Sequence, residues 1–311
     1  MALCVDDCPV LRLTRHYQHN AFLWLAIANK MRTEAMPTQR GLSNNDANLL
    51  VRHPVAAYFA LTFTISWVGA LSVAAPHLIR HQPLPVMTGI LMFPTMLLGP
   101  SLTGIILTRI VDGKSGVRHL FSGMFRGRIP VRWYMALLIP PMLVLTVLFV
   151  LKTYVSPSYA PNFFLMGILF GVPAGYLEEI GWTGYAFPKM RSQNNALAPS
   201  ILLGLLWSAW HLPVIDYLGT ATPHGAYLFP FFLVFTAAMT AIRVLISWSY
   251  INTNSVLLAQ LIHMSSTGAL VVFSAPRLRA GQEVMWYGLY AVALWFAIAV
   301  VVTIFGKRLT L

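Results

Sequence analysis

Charge is scarce in this chain. Of its 311 residues 10% are charged, and only nine are acidic. A water-soluble domain carries about 25% charged residues, so a soluble globular body is excluded. Cysteine is scarcer still: Cys4 and Cys8, near the N-terminus, are the whole supply. With no second pair they build neither a disulfide framework nor a zinc finger, and they read as two free thiols in a tail. The net charge of +12 does not point to a nucleic-acid partner. Lysine and arginine fall in short segments between apolar runs, where membrane proteins carry their orientation signals.

Apolar sequence is what the chain has in excess, at 57%. A helical span takes roughly 20 mostly apolar residues to cross ~30 Å of hydrocarbon. Eight runs qualify, at 55–79, 88–111, 133–154, 163–187, 197–218, 226–250, 255–274 and 285–305. The expected fold is all-α: a polytopic membrane protein with about eight transmembrane helices over 51–311 and a motif-bearing core at 163–275. Trp133 and Tyr134, Trp248 and Tyr250, and Trp286 and Tyr287 mark span ends as an interfacial aromatic belt. Residues 1–50 read as a cytoplasmic extension. Its apolar stretch at 22–28 is too short to span and has no small-residue cleavage site after it. That leaves an interfacial helix, or an upstream start codon ahead of Met36. With the N-terminus inside, 16 of the 21 lysines and arginines fall in inner segments. The expectation is a multi-pass protein of the cell membrane with both termini cytoplasmic.

Against this background a few polar residues stand out. Seven of the nine acids lie in tails, loops or span ends, Glu283 among them; Glu178 and Glu179 are adjacent inside the fourth span. A carboxylate near the bilayer centre costs at least ~2.5–3.5 kcal/mol, which packing alone does not justify. Two together repel and call for a compensating cation. Of nine histidines only His211 and His263 lie well inside spans, the fifth and seventh. Spans four and five form a hairpin turning near Asn194 and Asn195. Glu178 and His211 both sit ~24 Å along their helices from that turn, hence side by side. His263 sits only ~13 Å from the same face, so tilt has to bring it level.

Helical spacing adds supporting residues. Glu178, Trp182 and Tyr185 fall on one face, Glu179 and Thr183 on the next, and Trp207 with His211 in span five. Gly171, Gly175, Gly181 and Gly184 thin span four for close approach of a helix or a substrate backbone. Pro173 and Pro188 are expected to bend it. A carboxylate and two imidazoles in a partly dry pocket suit water activation against a carbonyl. The same Glu178, His211 and His263 match a catalytic zinc set with an open position. Histidines four apart on one helix are missing, so metal is not demanded.

These residues resemble a family. Glu178-Glu179-Ile180-Gly181-Trp182-Thr183-Gly184-Tyr185-Ala186-Phe187-Pro188 looks like the first motif of the CPBP group, the CAAX prenyl protease and bacteriocin-processing membrane proteases, also called Abi. Trp207 and His211 resemble its second motif; His263 and Thr267 resemble its third. The likeness covers about 55–275. It implies Glu178 as general base with Glu179 in support, His211 and His263 holding water and oxyanion, and a protein or peptide substrate. It leaves open a zinc-dependent or a metal-free mechanism, and a bacteriocin-maturation or self-immunity role. Two positions depart from the pattern: Thr183 stands where arginine is usual, and Thr267 where asparagine is usual. Arg243 in span six is a candidate substitute counter-ion. An intramembrane endopeptidase is the expectation. A non-catalytic immunity or scaffold protein and a proton-coupled transporter are the alternatives; the transporter lacks supporting repeats.

Overall fold

The structure is a computed structural model that describes residues 49–310. Cys4, Cys8 and the 22–28 stretch lie outside the described residues. After a single helical turn the order is α1 (Pro54–Ile79), α2 (Val86–Val111), a short surface helix α3 (Gly113–Met124), α4 (Ile139–Tyr154), α5 (Ile168–Gly181), α6 (Leu197–Trp210), α7 (Leu228–Thr253), α8 (Val256–Val272) and α9 (Ala280–Phe305). No strand occurs among the described residues. Each of the eight predicted runs coincides with a helical segment, and the chain is an all-α, multi-pass membrane protein. Five segments are long and apolar enough to cross unaided: Pro54–Ile79, Val86–Val111, Val131–Tyr154, Gly225–Thr253 and Ala280–Arg308.

The three predicted spans that carry the motifs are the short or interrupted ones. Span five is not one helix over 197–218. It stops at Trp210 and continues as the 3-10 segment Leu212–Tyr217, because Pro213 has no N–H for the Ala209 carbonyl. Span four changes register: α5 passes into a π-turn, Trp182–Ala186, before a last turn, Phe187–Met190. Pro188, lacking an N–H for the Gly184 carbonyl, closes that stretch. Span seven is the 17-residue α8, started by the Ser255 hydroxyl, which accepts from the Leu258 N–H at 3.0 Å. It reverses directly from α7 through left-handed Asn254.

Contacts between helix ends define two faces. On one, Lys189 pairs with Asp112 at 2.9 Å, the Asn252 amide donates to the Leu309 carbonyl, and Ser255 donates to the Arg126 carbonyl. This face carries Arg109, Lys114, Arg118, Arg126, Arg128, Arg132, Lys189 and Arg191 among its cations. On the other, the Phe164 N–H donates to the Val272 carbonyl and Thr220 donates to the Ala275 carbonyl. That face has only Arg80, Lys152, Arg277 and Arg279 among the described residues.

The glycines of α5 set how closely its neighbours approach. A methyl on Gly175 would lie 2.6 Å from the Met264 nitrogen and 2.7 Å from the Gln260 carbonyl oxygen; one on Gly171 would lie 2.7 Å from the Met264 carbonyl oxygen. Both are contacts with α8 backbone, which cannot rotate aside. On the opposite flank a methyl on Gly181 would lie 2.2 Å from the Pro100 carbonyl oxygen on α2. Gly175→Ala is therefore expected to force α5 from α8 and destabilise the fold by about 1–3 kcal/mol, as overpacking does. Unfolding in detergent measures this; an unchanged midpoint would refute the backbone contact.

Candidate active site

The close α5–α8 crossing is what brings His263 level with the carboxylates. The Gln260 amide donates to the Tyr176 carbonyl at 2.8 Å, and one turn further His263 Nδ1 reaches Glu179 Oε1 at 2.8 Å. Both glutamates are sealed from outside, Glu178 at 3% exposure and Glu179 at 0%.

The two carboxylates are treated unequally. Glu179 is fully engaged. Arg243, buried on α7, grips it with two parallel bonds, Nη1 to Oε2 and Nη2 to Oε1, each 2.8 Å. Thr183 donates a short hydrogen bond to Oε2, and Arg243 Nη1 also reaches the Thr183 hydroxyl at 3.3 Å. This bidentate geometry is the strong form of the arginine–carboxylate bond. Thr183 thus stands in the arginine position of the motif while the guanidinium arrives from another helix. Glu178 uses only one oxygen: Oε2 accepts from the indoles of Trp207 at 2.7 Å and Trp182 at 3.1 Å. No protein group among the described residues bonds the other oxygen.

The imidazoles are oriented by what their Nδ1 atoms touch. A carbonyl and a carboxylate can only accept, so His211 Nδ1 donates to the Trp207 carbonyl at 2.8 Å and His263 Nδ1 donates to Glu179. Each neutral ring is then left with an unprotonated Nε2. Trp207 ties the group together. Its ring centroid lies 4.9 Å from that of His263 and 5.7 Å from that of His211, and the Arg243 guanidinium sits over it at 4.5 Å.

Glu178, Trp207, His211, His263 and Thr267 line one cavity of about 490 Å³. Thr267, at the usual asparagine position, therefore faces the same space. Tyr185 does not. An α-helical i, i+4, i+7 stripe cannot run through a π-turn, and beyond Trp182 the face rotates away. Tyr185 packs on Tyr58 with ring centroids 5.4 Å apart and lines a separate recess with Asp112 and Lys189. The free Glu178 oxygen and the two Nε2 atoms are suitable donor types for zinc. Among the described residues, however, no three His, Cys, Asp or Glu side chains gather closely enough to form a metal cage.

One polar cluster escapes the sequence reading. In the sequence Asp216, His224 and Glu283 fall in loops and span ends, yet His224 and Glu283 are buried. His224 Nδ1 is 3.1 Å from Asp216 and its Nε2 is 3.4 Å from Glu283. The Glu283 carboxylate also accepts from the backbone N–H groups of Thr220 and Ala221 at 2.8 and 2.7 Å. The available signal was weak: a rare acid opening a span, facing a loop that holds a histidine and another acid. Burial pushes His224 down, but the neighbouring Glu283 and Asp216 carboxylates outweigh this and leave it raised above its ordinary 6.5. A raised folded value adds stability below the ordinary value and loses it as pH climbs through the folded one. Thermal stability is expected to fall as pH rises past that window, and His224→Gln is expected to remove the slope. Identical pH profiles for the two proteins would refute the coupling.

One comparison with known proteins falls on the segment that carries the motifs. Residues 160–268 match the family model described as type II CAAX prenyl endopeptidase Rce1-like. Over 116 residues the chain is 30% identical to CAAX prenyl protease 2 of Methanococcus maripaludis, covering 35% of this chain and 39% of that protein. The chain thus spans well under half the length of the curated relative it matches. Both matches are to peptide hydrolases by description, and the resemblance of the three motifs to the CPBP group is borne out.

Proposed function

We propose that this chain is an intramembrane endopeptidase in which Glu178 activates a water molecule against a peptide bond. The observation that carries the reading is the unequal treatment of the two glutamates. One is saturated by a bidentate arginine, a threonine and a histidine. The other presents an unoccupied oxygen to a cavity shared with two imidazoles. A packing or scaffold role gives no reason to leave one buried carboxylate oxygen and two Nε2 atoms unpartnered around a common space.

Glu178 takes a proton from water as the water oxygen bonds to the substrate carbonyl carbon, and the carbonyl electrons move onto oxygen. The Thr267 hydroxyl is the donor that the cavity wall offers to that oxyanion, and the two imidazole Nε2 atoms can accept from the water and hold it. The tetrahedral intermediate collapses, the C–N bond breaks, and the proton held by Glu178 passes to the leaving amine. Trp182 and Trp207 hold Glu178 in one rotamer by their two N–H donors. Arg243 and Thr183 act through Glu179 as positioning residues. No step is routed through a metal.

The basic face is the cytoplasmic one by charge asymmetry, which puts the C-terminus inside. The relative's name supplies one probe. Purified full-length protein in lipid vesicles is offered a prenylated CAAX peptide and an unprenylated hydrophobic peptide in water enriched in oxygen-18. Cleavage that places one heavy oxygen in the new carboxyl group, and is lost in Glu178→Gln, is the expected result for a peptide that is accepted. Cleavage retained in Glu178→Gln overturns Glu178 as base. Absence of cleavage by the unaltered chain with either probe counts against the endopeptidase and favours the non-catalytic alternative.

A further inference from the structure

The recess beside Tyr185 lies on the basic face, apart from the cavity that Glu178 shares with the histidines. It encloses about 380 Å³, within the size range of small-molecule sites. Its wall comes from the corner between α2 and α3, from the π-turn and the last turn after it, and from the end of α7. Five polar side chains on that wall can donate a hydrogen bond: Ser115, His119, Tyr185, Lys189 and Tyr250. One acid, Asp112, stands among them. Such an excess of donors suits an anion.

Tyr185 is the residue that calls for an occupant. It is 1% exposed, and its hydroxyl has no hydrogen-bond partner among the described residues. Buried polar groups are nearly always partnered, and this one borders a space that can hold a partner. Tyr58 packs on its ring, and the Lys189 ammonium lies 4.9 Å from the ring centroid. Lys189 is weakly committed. Its 2.9 Å pair with Asp112 joins side chains that are 21% and 38% exposed, and a wet ion pair contributes little. Arg126 and Arg191 lie near enough to the Tyr250 hydroxyl for their charges to act on it. The floor is tightly built: a methyl on Gly184 would lie 2.4 Å from Leu120 Cδ1, so α3 bears directly on the π-turn.

The surroundings say where the anion comes from. Phe121 and Phe125 are exposed beside Lys114, Arg118 and Arg126. That mixture is the one an interfacial helix carries, with its rings in the acyl boundary and its cations at the headgroups. A basic pocket between spans at this level faces lipid phosphates. The π-turn is thus two-sided: Trp182 and Thr183 hold the glutamates, while Gly184 and Tyr185 line the recess.

We propose that the recess is a phosphate site that receives the headgroup of an anionic lipid from the leaflet on the basic face. Lys189 and the Tyr185 hydroxyl are its principal donors, and Asp112 is the group that opposes it. Lipid phosphate draws Lys189 off Asp112 and gives the orphaned hydroxyl its acceptor. The site stands on the recess alone and holds whether or not the chain cleaves peptides.

Displacement tests it. The purified full-length chain in nonionic detergent is loaded with a fluorescent phosphatidylglycerol, which unlabelled competitors then displace. Phosphatidylglycerol is expected to compete and phosphatidylcholine to fail at the same mole fraction. Equal competition by phosphatidylcholine overturns the anion site. Inorganic phosphate is expected to compete only at far higher concentration; competition as strong as the lipid's overturns the lipid as source. Lys189→Gln and Tyr185→Phe are each expected to weaken binding by about tenfold, the worth of one hydrogen bond to a charged group. Asp112→Asn is expected to tighten it, because it removes the opposing charge and releases Lys189. Weaker binding in Asp112→Asn overturns the assignment, since the acid would then be holding a cationic part of the headgroup. Arg128→Gln makes the same charge change on the same face without lining the recess, and is expected to alter binding less than twofold. A loss there equal to that of Lys189→Gln means diffuse attraction and overturns the site. Tyr185→Phe keeps the ring that packs on Tyr58 and removes only the hydroxyl, so unchanged binding in that variant also overturns it.

Discussion

Glu178→Gln is expected to lower peptide cleavage by about 10²–10⁴-fold, the range a positioned general base contributes, while leaving the fold in place. The substitution is nearly isosteric, and its amide oxygen can still accept from the Trp182 and Trp207 indoles that now bind Oε2. What it loses is the ability of the cavity-facing atom to take a proton. The companion change Glu179→Gln is expected to behave differently, because Glu179 is tied to Arg243 on both oxygens. An amide there sets an N–H₂ group against a guanidinium, so folding yield should fall along with activity. Cleavage rates alongside thermal midpoints in the same detergent separate the cases. If both variants lose activity and stability in parallel, the division of labour between the glutamates is wrong.

How much of this was readable beforehand follows from what local pattern can carry. The spans were legible because apolar length is a property of a single run. Glu178, Glu179, His211 and His263 were legible because an ionisable group in hydrocarbon stands out against its own neighbours, whatever it later touches. Gly171, Gly175 and Gly181 could be read as thinning α5, and the backbones of α8 and α2 do occupy that room. The reading failed where register or partnership across the fold decides. Tyr185 was placed on the Glu178 face by counting 3.6 residues per turn, and a π-turn is invisible to such counting. Span five looked continuous because residues 212–218 stay apolar after helix hydrogen bonding has stopped at Pro213. Asp216, His224 and Glu283 looked ordinary because each stands at a loop or span end. Only the fold shows that the segment between α6 and α7 carries the first two against the third and buries His224 with Glu283. Which stretches of five helices face one another around the cavity is likewise encoded by no single run.

Arg243→Leu is the substitution with the largest expected cost to the fold, about 3–5 kcal/mol, because it leaves a buried carboxylate without its partner. The guanidinium supplies both bonds to Glu179 and lies 4.5 Å over the Trp207 ring. Its loss should therefore also loosen the indole that donates to Glu178. The second-site change that tests this is Thr183→Arg. Position 183 is one turn from Glu179 on the same chain, already donates to the same carboxylate oxygen, and lies 3.3 Å from the Arg243 group that would be vacated. It is also where the resembling motif carries arginine. In the Arg243→Leu background, Thr183→Arg is expected to restore a substantial part of the lost stability. Alone, with Arg243 present, it should destabilise by crowding two guanidinium groups onto one carboxylate. This opposite-sign pair forms a double-mutant cycle, and contacting residues in one network give coupling of about 0.5–3 kcal/mol. Additive effects in that cycle would mean that the two positions do not serve the same carboxylate. The α7 arginine would then be no replacement for the motif arginine, and the pairing of Glu179 would not explain why Thr183 is tolerated.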